Sequence, residues 1–226
     1  MSEGAAQTTA PQLRSVSAPR ALTKPEYLAD AVINVVGVLF ALGAAAWLLN
    51  HIADGRDRLS IGVYCVALVL MLLASAAYNT ARETYRHKEV LRRIDHAMIY
   101  VKIAGTYTPF MFGRLHPPAG LIVLCAVWGM AAIGATLKLA LPQSNERLSV
   151  ILYIAMGWTA LAVVGPLFAS LHHTTFWLLV VGGLTYSLGA PFHLLRGMRF
   201  NKVIWHAFVL IATVIQFIAV VGEFAR

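Results

Sequence analysis

The chain has 226 residues, of which 59% are hydrophobic and only 12% are charged, and its mean hydropathy is +0.70. These values are typical of a multi-pass membrane protein and exclude an ordinary soluble domain. The formal net charge of +8 does not indicate nucleic-acid binding, because the sequence contains no basic folded domain that could carry such a role.

The chain divides into a polar tail and a membrane domain. Residues 1–24 are rich in Ala, Ser, Thr and Pro and are predicted to be a disordered cytoplasmic tail. We expect no cleavable signal peptide, because no apolar segment follows the early arginines. Residues 25–226 are predicted to form an all-α domain, a bundle of seven transmembrane helices. The predicted spans are 31–50, 60–80, 95–113, 119–139, 148–168, 174–194 and 203–223.

The basic residues predict the orientation of the spans. Most of the 18 Lys and Arg residues fall in the tail and in the second, fourth and sixth loops. The positive-inside rule then places the N-terminus in the cytoplasm and the C-terminus outside. We expect a multi-pass protein of the plasma membrane, whose basic inner face rests on anionic lipid.

Five polar residues are predicted to meet in one layer near the inner leaflet, and we call them the polar cluster. Ser75 and Asn79 end the second span, Asp95 begins the third, and Lys202 and His206 begin the seventh. With the predicted orientation, all three helix ends lie at the same depth. Residues four apart share one helix face, so each pair can point into the bundle.

Each member of the polar cluster also has a plain structural explanation. Ser75 could bond to its own helix backbone, and Asn79 could cap a helix end. Asp95 could be favoured by the helix dipole, and Lys202 could extend its amine to the membrane surface. His206 follows a tryptophan and could be an interfacial anchor. The convergence of all five favours a functional site.

Two further residues are candidates for a role inside the membrane. Lys102 lies two helical turns, roughly 10 Å, beyond Asp95 on the same face of the third span. Because a lysine at that depth is costly, it should face the interior and find a partner. His193 ends the sixth span near the polar cluster and is a possible substitute metal ligand.

Four segments resemble the hemolysin III family, the bacterial branch of the progestin and adiponectin receptor superfamily. They are LLASAAYN, LRRIDHAMIYVKIAGTYTPF, GGLTYSLGAPF and NKVIWHAFVL, and the resemblance runs from about residue 26 to about residue 222. It implies seven spans with an inside N-terminus. It also implies a relationship to receptors with a zinc site and to membrane-embedded amide hydrolases.

The resemblance implies a metal site that this chain does not complete. Relatives hold zinc with one histidine that ends span two and two that begin span seven, beside a serine and an aspartate. Here the serine is Ser75, the aspartate is Asp95 and the last histidine is His206, whereas Asn79 and Lys202 replace the other two histidines. Catalytic zinc normally has three protein ligands, so we predict no cofactor and a degenerate zinc site.

A charge argument predicts what replaces the ion. Without zinc, Asp95 would be an uncompensated acid, and Lys202 supplies a cation in a former ligand position. We therefore hypothesise that these two residues pair, with Asn79 and Ser75 completing the hydrogen bonds. Lys102 is an alternative partner for the same carboxylate.

Three functions follow from these residues and from the resemblance. The first is a non-catalytic or altered-chemistry protein of membrane homeostasis or lipid sensing, with membrane lipids or a lipid-like molecule as partners. The second is a zinc-dependent lipid amide hydrolase, with Asp95 and Ser75 as catalytic candidates. The third is a pore-forming or cytolytic protein, which only the name of the family suggests.

Overall fold

In the computed structural model of the chain, residues 22–52, 55–82, 84–141, 145–195 and 197–225 can be described. The predicted disordered tail, residues 1–24, lies outside this range except for its last three residues. Lys24 already belongs to the first helix. That helix begins with a capping box, because Glu26 Oε2 accepts hydrogen bonds from the Thr23 backbone amide and hydroxyl at 2.8 and 2.7 Å.

The described chain consists of helices and short connections, without a β-strand in these residues, as the predicted all-α class requires. The helices are α1 (Lys24–His51), α2 (Gly55–Thr80), α3 (Lys88–Gly113), α4 (Ala119–Ala140), α5 (Glu146–Gly157), α6 (Val164–Ser170), α7 (His173–Leu194) and α8 (Asn201–Phe224). Six helical stretches in the described residues are long and apolar enough to cross a membrane, and Glu146–Ser170, which contains α5 and α6, counts as one of them.

Helix α3 is as long as these stretches but more polar. Its 26 residues include Asp95 and Lys102, together with charged residues in its first two turns. It packs between α2 and α4, and all side chains at positions 104–111 are buried. Neighbouring helices therefore surround the polar helix, whereas the other helices expose apolar faces.

The predicted span 148–168 falls within the apolar stretch Glu146–Ser170, but its α-helix breaks after Gly157 into a 3-10 helix (Thr159–Val163) and then α6. Pro166 lies in the first turn of α6, where a missing amide hydrogen removes no bond within that helix. Tyr107 of α3 satisfies two backbone groups at the break. Its hydroxyl donates to the Gly157 carbonyl at 2.6 Å and accepts from the Ala160 amide at 2.9 Å.

The order of the helices in space follows the chain for the first four, and α8 returns to lie between α7 and α1. Close helix contacts depend on glycine. A methyl group at Gly105 of α3 would lie 2.5 Å from Cβ of Ala67 on α2, and one at Gly134 of α4 would lie 2.5 Å from the Tyr100 ring. Small residues at such crossings let two membrane helices approach closely.

Gly105→Ala should therefore destabilise the bundle by about 1–3 kcal/mol, because the added methyl forces α2 and α3 apart. Thermal unfolding in detergent would measure the loss. Gly129→Ala is the matched control, since nothing lies within 4 Å of a methyl group there. The control should be neutral or slightly stabilising, and equal melting temperatures for the two variants would contradict the packing argument.

Candidate functional site

One hydrogen-bonded chain links α2 to α8 within the polar cluster. Lys202 Nζ donates to Asn79 Oδ1 at 3.3 Å. The Asn79 amide nitrogen in turn donates to the Ser75 carbonyl at 2.9 Å and to the Ser75 hydroxyl at 3.2 Å. Ser75 and Asn79 are both buried. The ammonium group thus has an amide oxygen as a direct partner.

Asp95 lies beside this chain of hydrogen bonds on α3. Its direct ion-pair contact is with its neighbour, with His96 Nδ1 3.6 Å from Asp95 Oδ2. The carboxylate also interacts with the Ser75 side chain and, electrostatically, with Lys202 and His206. The hypothesised direct ion pair between Asp95 and Lys202 does not appear among the described contacts, because the amine donates to Asn79 and acts on the carboxylate over a longer distance.

His206 has a carboxylate partner that the sequence analysis missed. Its Nδ1 lies 2.5 Å from Asp30 Oδ1 on α1, and Asp30 is 2% exposed. Such a contact holds the imidazole ring in one orientation and directs its other nitrogen away from the carboxylate. The polar cluster therefore draws on four helices, with α1 added to α2, α3 and α8.

A second missed acid positions the start of α8. Glu26 is fully buried on α1, and its Oε1 accepts a hydrogen bond of 2.7 Å from the backbone amide of Phe200. Phe200 adopts the left-handed conformation, with φ 59°, at the turn before α8. Glu26, Asp30 and Asn34 recur every four residues at the start of an apolar run. Residues at that spacing lie on one helix face, so the sequence pattern could have identified both acids as inward-facing.

His193 reaches the same end of the bundle but contacts aromatic rings. Its ring centroid lies 5.7 Å from that of His96 and 5.4 Å from that of Trp205. His96 also lies 6.4 Å from the Tyr78 ring. These contacts form an aromatic group beside the polar cluster.

The donor set of the polar cluster does not fit zinc. Among the residues that the structure describes, no group of three His, Cys, Asp or Glu side chains is placed to hold a metal ion. Lys202 and Asn79 lie where the resemblance implies histidines, and they bond to each other. An ammonium group in a ligand position repels a dication, so we assign no metal chemistry to this arrangement.

Lys102 forms a separate polar centre in the middle of α3. Its Nζ donates to Tyr186 Oη of α7 and to Gln216 Oε1 of α8, both at 2.6 Å. Tyr186 Oη also lies 2.6 Å from Thr213 Oγ1 of α8. Lys102 therefore bonds to neutral groups, whereas Asp95 belongs to the polar cluster.

The opposite end of the bundle carries an ion cluster around Arg114, which follows α3. Its guanidinium lies 3.1 Å from Asp57 Oδ2 of α2 and 3.1 Å from Glu223 Oε1 of α8. The same group sits 3.9 Å from the centre of the Phe224 ring. Arg114 thus connects the end of α3 to α2 and α8. The sequence analysis placed Arg114 in a loop and did not predict these ion pairs.

Charged residues at the start of α3 lie before the predicted span. Arg92 Nη2 is 2.7 Å from Glu89 Oε1, and Arg93 Nε is 3.2 Å from the same oxygen. The hydrogen bond from Arg92, followed by that from Arg93, lowers the pKa of Glu89 to about 2. This carboxylate therefore stays ionised at physiological pH and offsets part of the basic charge at this end.

The chain was compared with known proteins. A sequence model of the family described as Haemolysin-III related matches residues 28–217. The chain is 35% identical over 201 residues to the Hemolysin-3 homolog of Bacillus subtilis (strain 168), covering 88% of this chain and 94% of that protein. It is 32% identical over 198 residues to Hemolysin-3 of Bacillus cereus, covering 86% and 90%.

More distant similarity extends to animals. The chain is 24% identical over 204 residues to the Monocyte to macrophage differentiation factor of Homo sapiens, covering 86% of this chain and 83% of that protein. In each comparison the match extends over most of both chains.

Proposed function

The chain belongs to the haemolysin-III-related family, and we propose that it is a plasma-membrane member that does not hold zinc. Its role is in membrane homeostasis or lipid sensing, and its partners are membrane lipids or a lipid-like molecule. The observation that supports this proposal is the hydrogen bond from Lys202 Nζ to Asn79 Oδ1. It fills two former ligand positions with groups that a dication does not bind.

The chemistry of the cluster supports a non-catalytic role. A hydrolase of this kind depends on a metal to generate hydroxide from water and to polarise the carbonyl of its substrate. Ser75 accepts a hydrogen bond from Asn79, and Asp95 lies among histidines and Lys202. These contacts satisfy the polar groups within the protein, so the cluster holds helices together.

Membrane lipid as the partner is supported by the outer surface of the bundle. An apolar groove of about 530 Å³ runs between α1 and α8 and is lined by Phe40, Trp47, Phe217 and Val221, among others. A groove with almost no polar lining suits an acyl chain, because an acyl chain has no hydrogen-bonding groups to satisfy.

The proposed topology has seven spans, with α3 as the seventh beside the six apolar stretches. The N-terminus is inside and the C-terminus outside, because the basic loops fall on the side of the N-terminus. In a variant whose Cys65 and Cys125 are replaced by alanine, a cysteine at Thr84 should react only with reagent admitted to the cytoplasm, whereas one at His116 should react from outside. Labelling of both from the same side would contradict this topology.

One observation favours the zinc-dependent amide hydrolase as a second candidate. Asp30 binds Nδ1 of His206, which is the arrangement that prepares the other imidazole nitrogen to bind a metal. This residue fits the family pattern even though two of its expected neighbours do not.

Metal analysis of the purified protein separates the two candidates. We expect far less than one zinc per chain, measured by mass spectrometry after purification in zinc-containing buffer. The double variant Asn79→His, Lys202→His should raise the content toward one zinc per chain, because it restores three imidazoles.

The control for this gain is the triple variant that adds His206→Ala, which should lose the bound zinc again. Near-stoichiometric zinc in the unmodified protein, lost on His206→Ala alone, would overturn the non-catalytic proposal and favour the hydrolase.

A further inference from the structure

Four helices meet around Lys102 near the middle of the bundle, and we call this group the Lys102 network. Hydrogen bonds join its members, which are Lys102 of α3, Tyr186 of α7, and Thr213 and Gln216 of α8, and Tyr64 of α2 lies beside them. Lys102 is 5% exposed, and Tyr64 and Thr213 are almost completely buried. The network lies apart from the polar cluster and has no part in the function proposed above.

The charge on Lys102 has no carboxylate partner in the part of the chain that the structure describes. Among the described residues, the titratable groups around the network are Tyr64 and Cys65 of α2 and Tyr186 of α7, and the α8 side chains bonded in it are neutral. On α3 itself, Asp95 is two turns away. Burial removes the hydration of an ammonium group, and without a counter-ion no strong interaction replaces that hydration. Burial therefore reduces the free-energy difference between the charged and the neutral amine.

The hydrogen bonds of the network can accommodate both forms of the amine. The ammonium donates to Gln216 Oε1 and Tyr186 Oη, and the Tyr186 hydroxyl then donates to Thr213. The neutral amine keeps its donation to Gln216 and accepts from Tyr186, which in turn accepts from Thr213. Either oxygen of the Tyr186–Thr213 contact can be the donor, so the change requires only that hydroxyl hydrogens rotate.

Tyr64 adds a polar group that the rest of the fold does not use. Its hydroxyl is buried and has no hydrogen-bond partner among the described residues. Tyr186 is among the titratable groups around it. A buried hydroxyl without a partner costs stability, so Tyr64 is an unsatisfied polar group on the α2 side of the Lys102 network.

We propose that Lys102 is a proton-binding site inside the bundle, at which the amine takes up and releases a proton while the Tyr186–Thr213 hydrogen bond reverses. In proton uptake the amine lone pair forms a new N–H bond while one O–H bond of hydronium breaks and leaves water. Proton release reverses both changes. The ligand of this site is the proton.

The polar residues of α8 extend the site toward both ends of the bundle. His206, Thr213, Gln216 and Glu223 fall within roughly 100° of one helix face. His206 belongs to the polar cluster, and Glu223 contacts Arg114 at the opposite end. Ionisable side chains therefore lie on this face of α8 on both sides of the Lys102 network, one toward each end of the bundle.

Nuclear magnetic resonance of lysine side chains tests the proposal in the whole protein. The protein carries five lysines, which would be labelled with carbon-13 at Cε and observed in lipid nanodiscs. The resonance that disappears in Lys102→Met should change reversibly between ammonium and amine within the pH range in which the protein stays folded. Tyr186→Phe should change the proton affinity of Lys102 by about tenfold, because it removes the reversible partner.

A second variant covers the case in which Tyr186→Phe does not fold. Thr213→Val removes only the outer hydroxyl and should also shift the titration. Thr185→Val is the matched control, because its hydroxyl bonds to the Val181 carbonyl of its own helix, and it should leave the titration unchanged. A Lys102 resonance that stays in one form at every pH would overturn the proposal, as would equal titrations in the Thr213 and Thr185 variants.

Discussion

The ends of α1, α2, α3 and α8 meet around carboxylates that a membrane protein cannot leave uncompensated. Asp30 and Asp95 are both set in from the surface. The imidazole of His206 contacts Asp30, the imidazole of His96 contacts Asp95, and the amine of Lys202 acts on Asp95 from farther away. Lys202 is central to the proposed function, because it places an amine where the family resemblance implies an imidazole and an ion. In that proposal the amine takes the place of the ion in joining the four helix ends.

The same constraint recurs along the bundle. Lys102 bonds to Tyr186 and Gln216 in the middle, and Arg114 joins Asp57 to Glu223 at the far end. Each polar layer contains residues of α3 or of the segment that follows it. The polar side chains of α3 can lie in the membrane because α2 and α4 pack against the helix. In each of the three polar layers, neighbouring side chains also provide hydrogen-bond or ion-pair partners. Glycines such as Gly105 allow that cover by letting the backbones approach.

The sequence was sufficient for the helical class and for the approximate position of each helix, because long apolar runs have few alternative structures. The sequence also identified Ser75, Asn79 and Lys202, which hydrogen bonds connect in the structure. It did so because residues four apart place their side chains on one helix face. Glu26 and Asp30 escaped notice because they precede the apolar core of the first span. Their burial results from contacts with α8 and the turn before it, more than 170 positions away in the chain.

Other features depended on tertiary contacts and could not be read from local pattern. The break after Gly157 is stabilised by Tyr107, which lies on another helix. Lys102 bonds to Tyr186 and Gln216 and not to Asp95 because α7 and α8 place these two side chains beside its amine. Helical spacing gives the face of a residue, but the partner across the bundle depends on how the helices are rotated and shifted.

A double-mutant cycle in the free energy of unfolding measures directly whether the ammonium of Lys202 balances the carboxylate of Asp95. The cycle compares Asp95→Asn, Lys202→Met and the combined variant in the presence of a chelator. Each single change should destabilise the protein, and the combined variant should recover part of the loss, with a coupling energy of about 0.5–3 kcal/mol. Additive effects, or single changes that cost nothing, would contradict it.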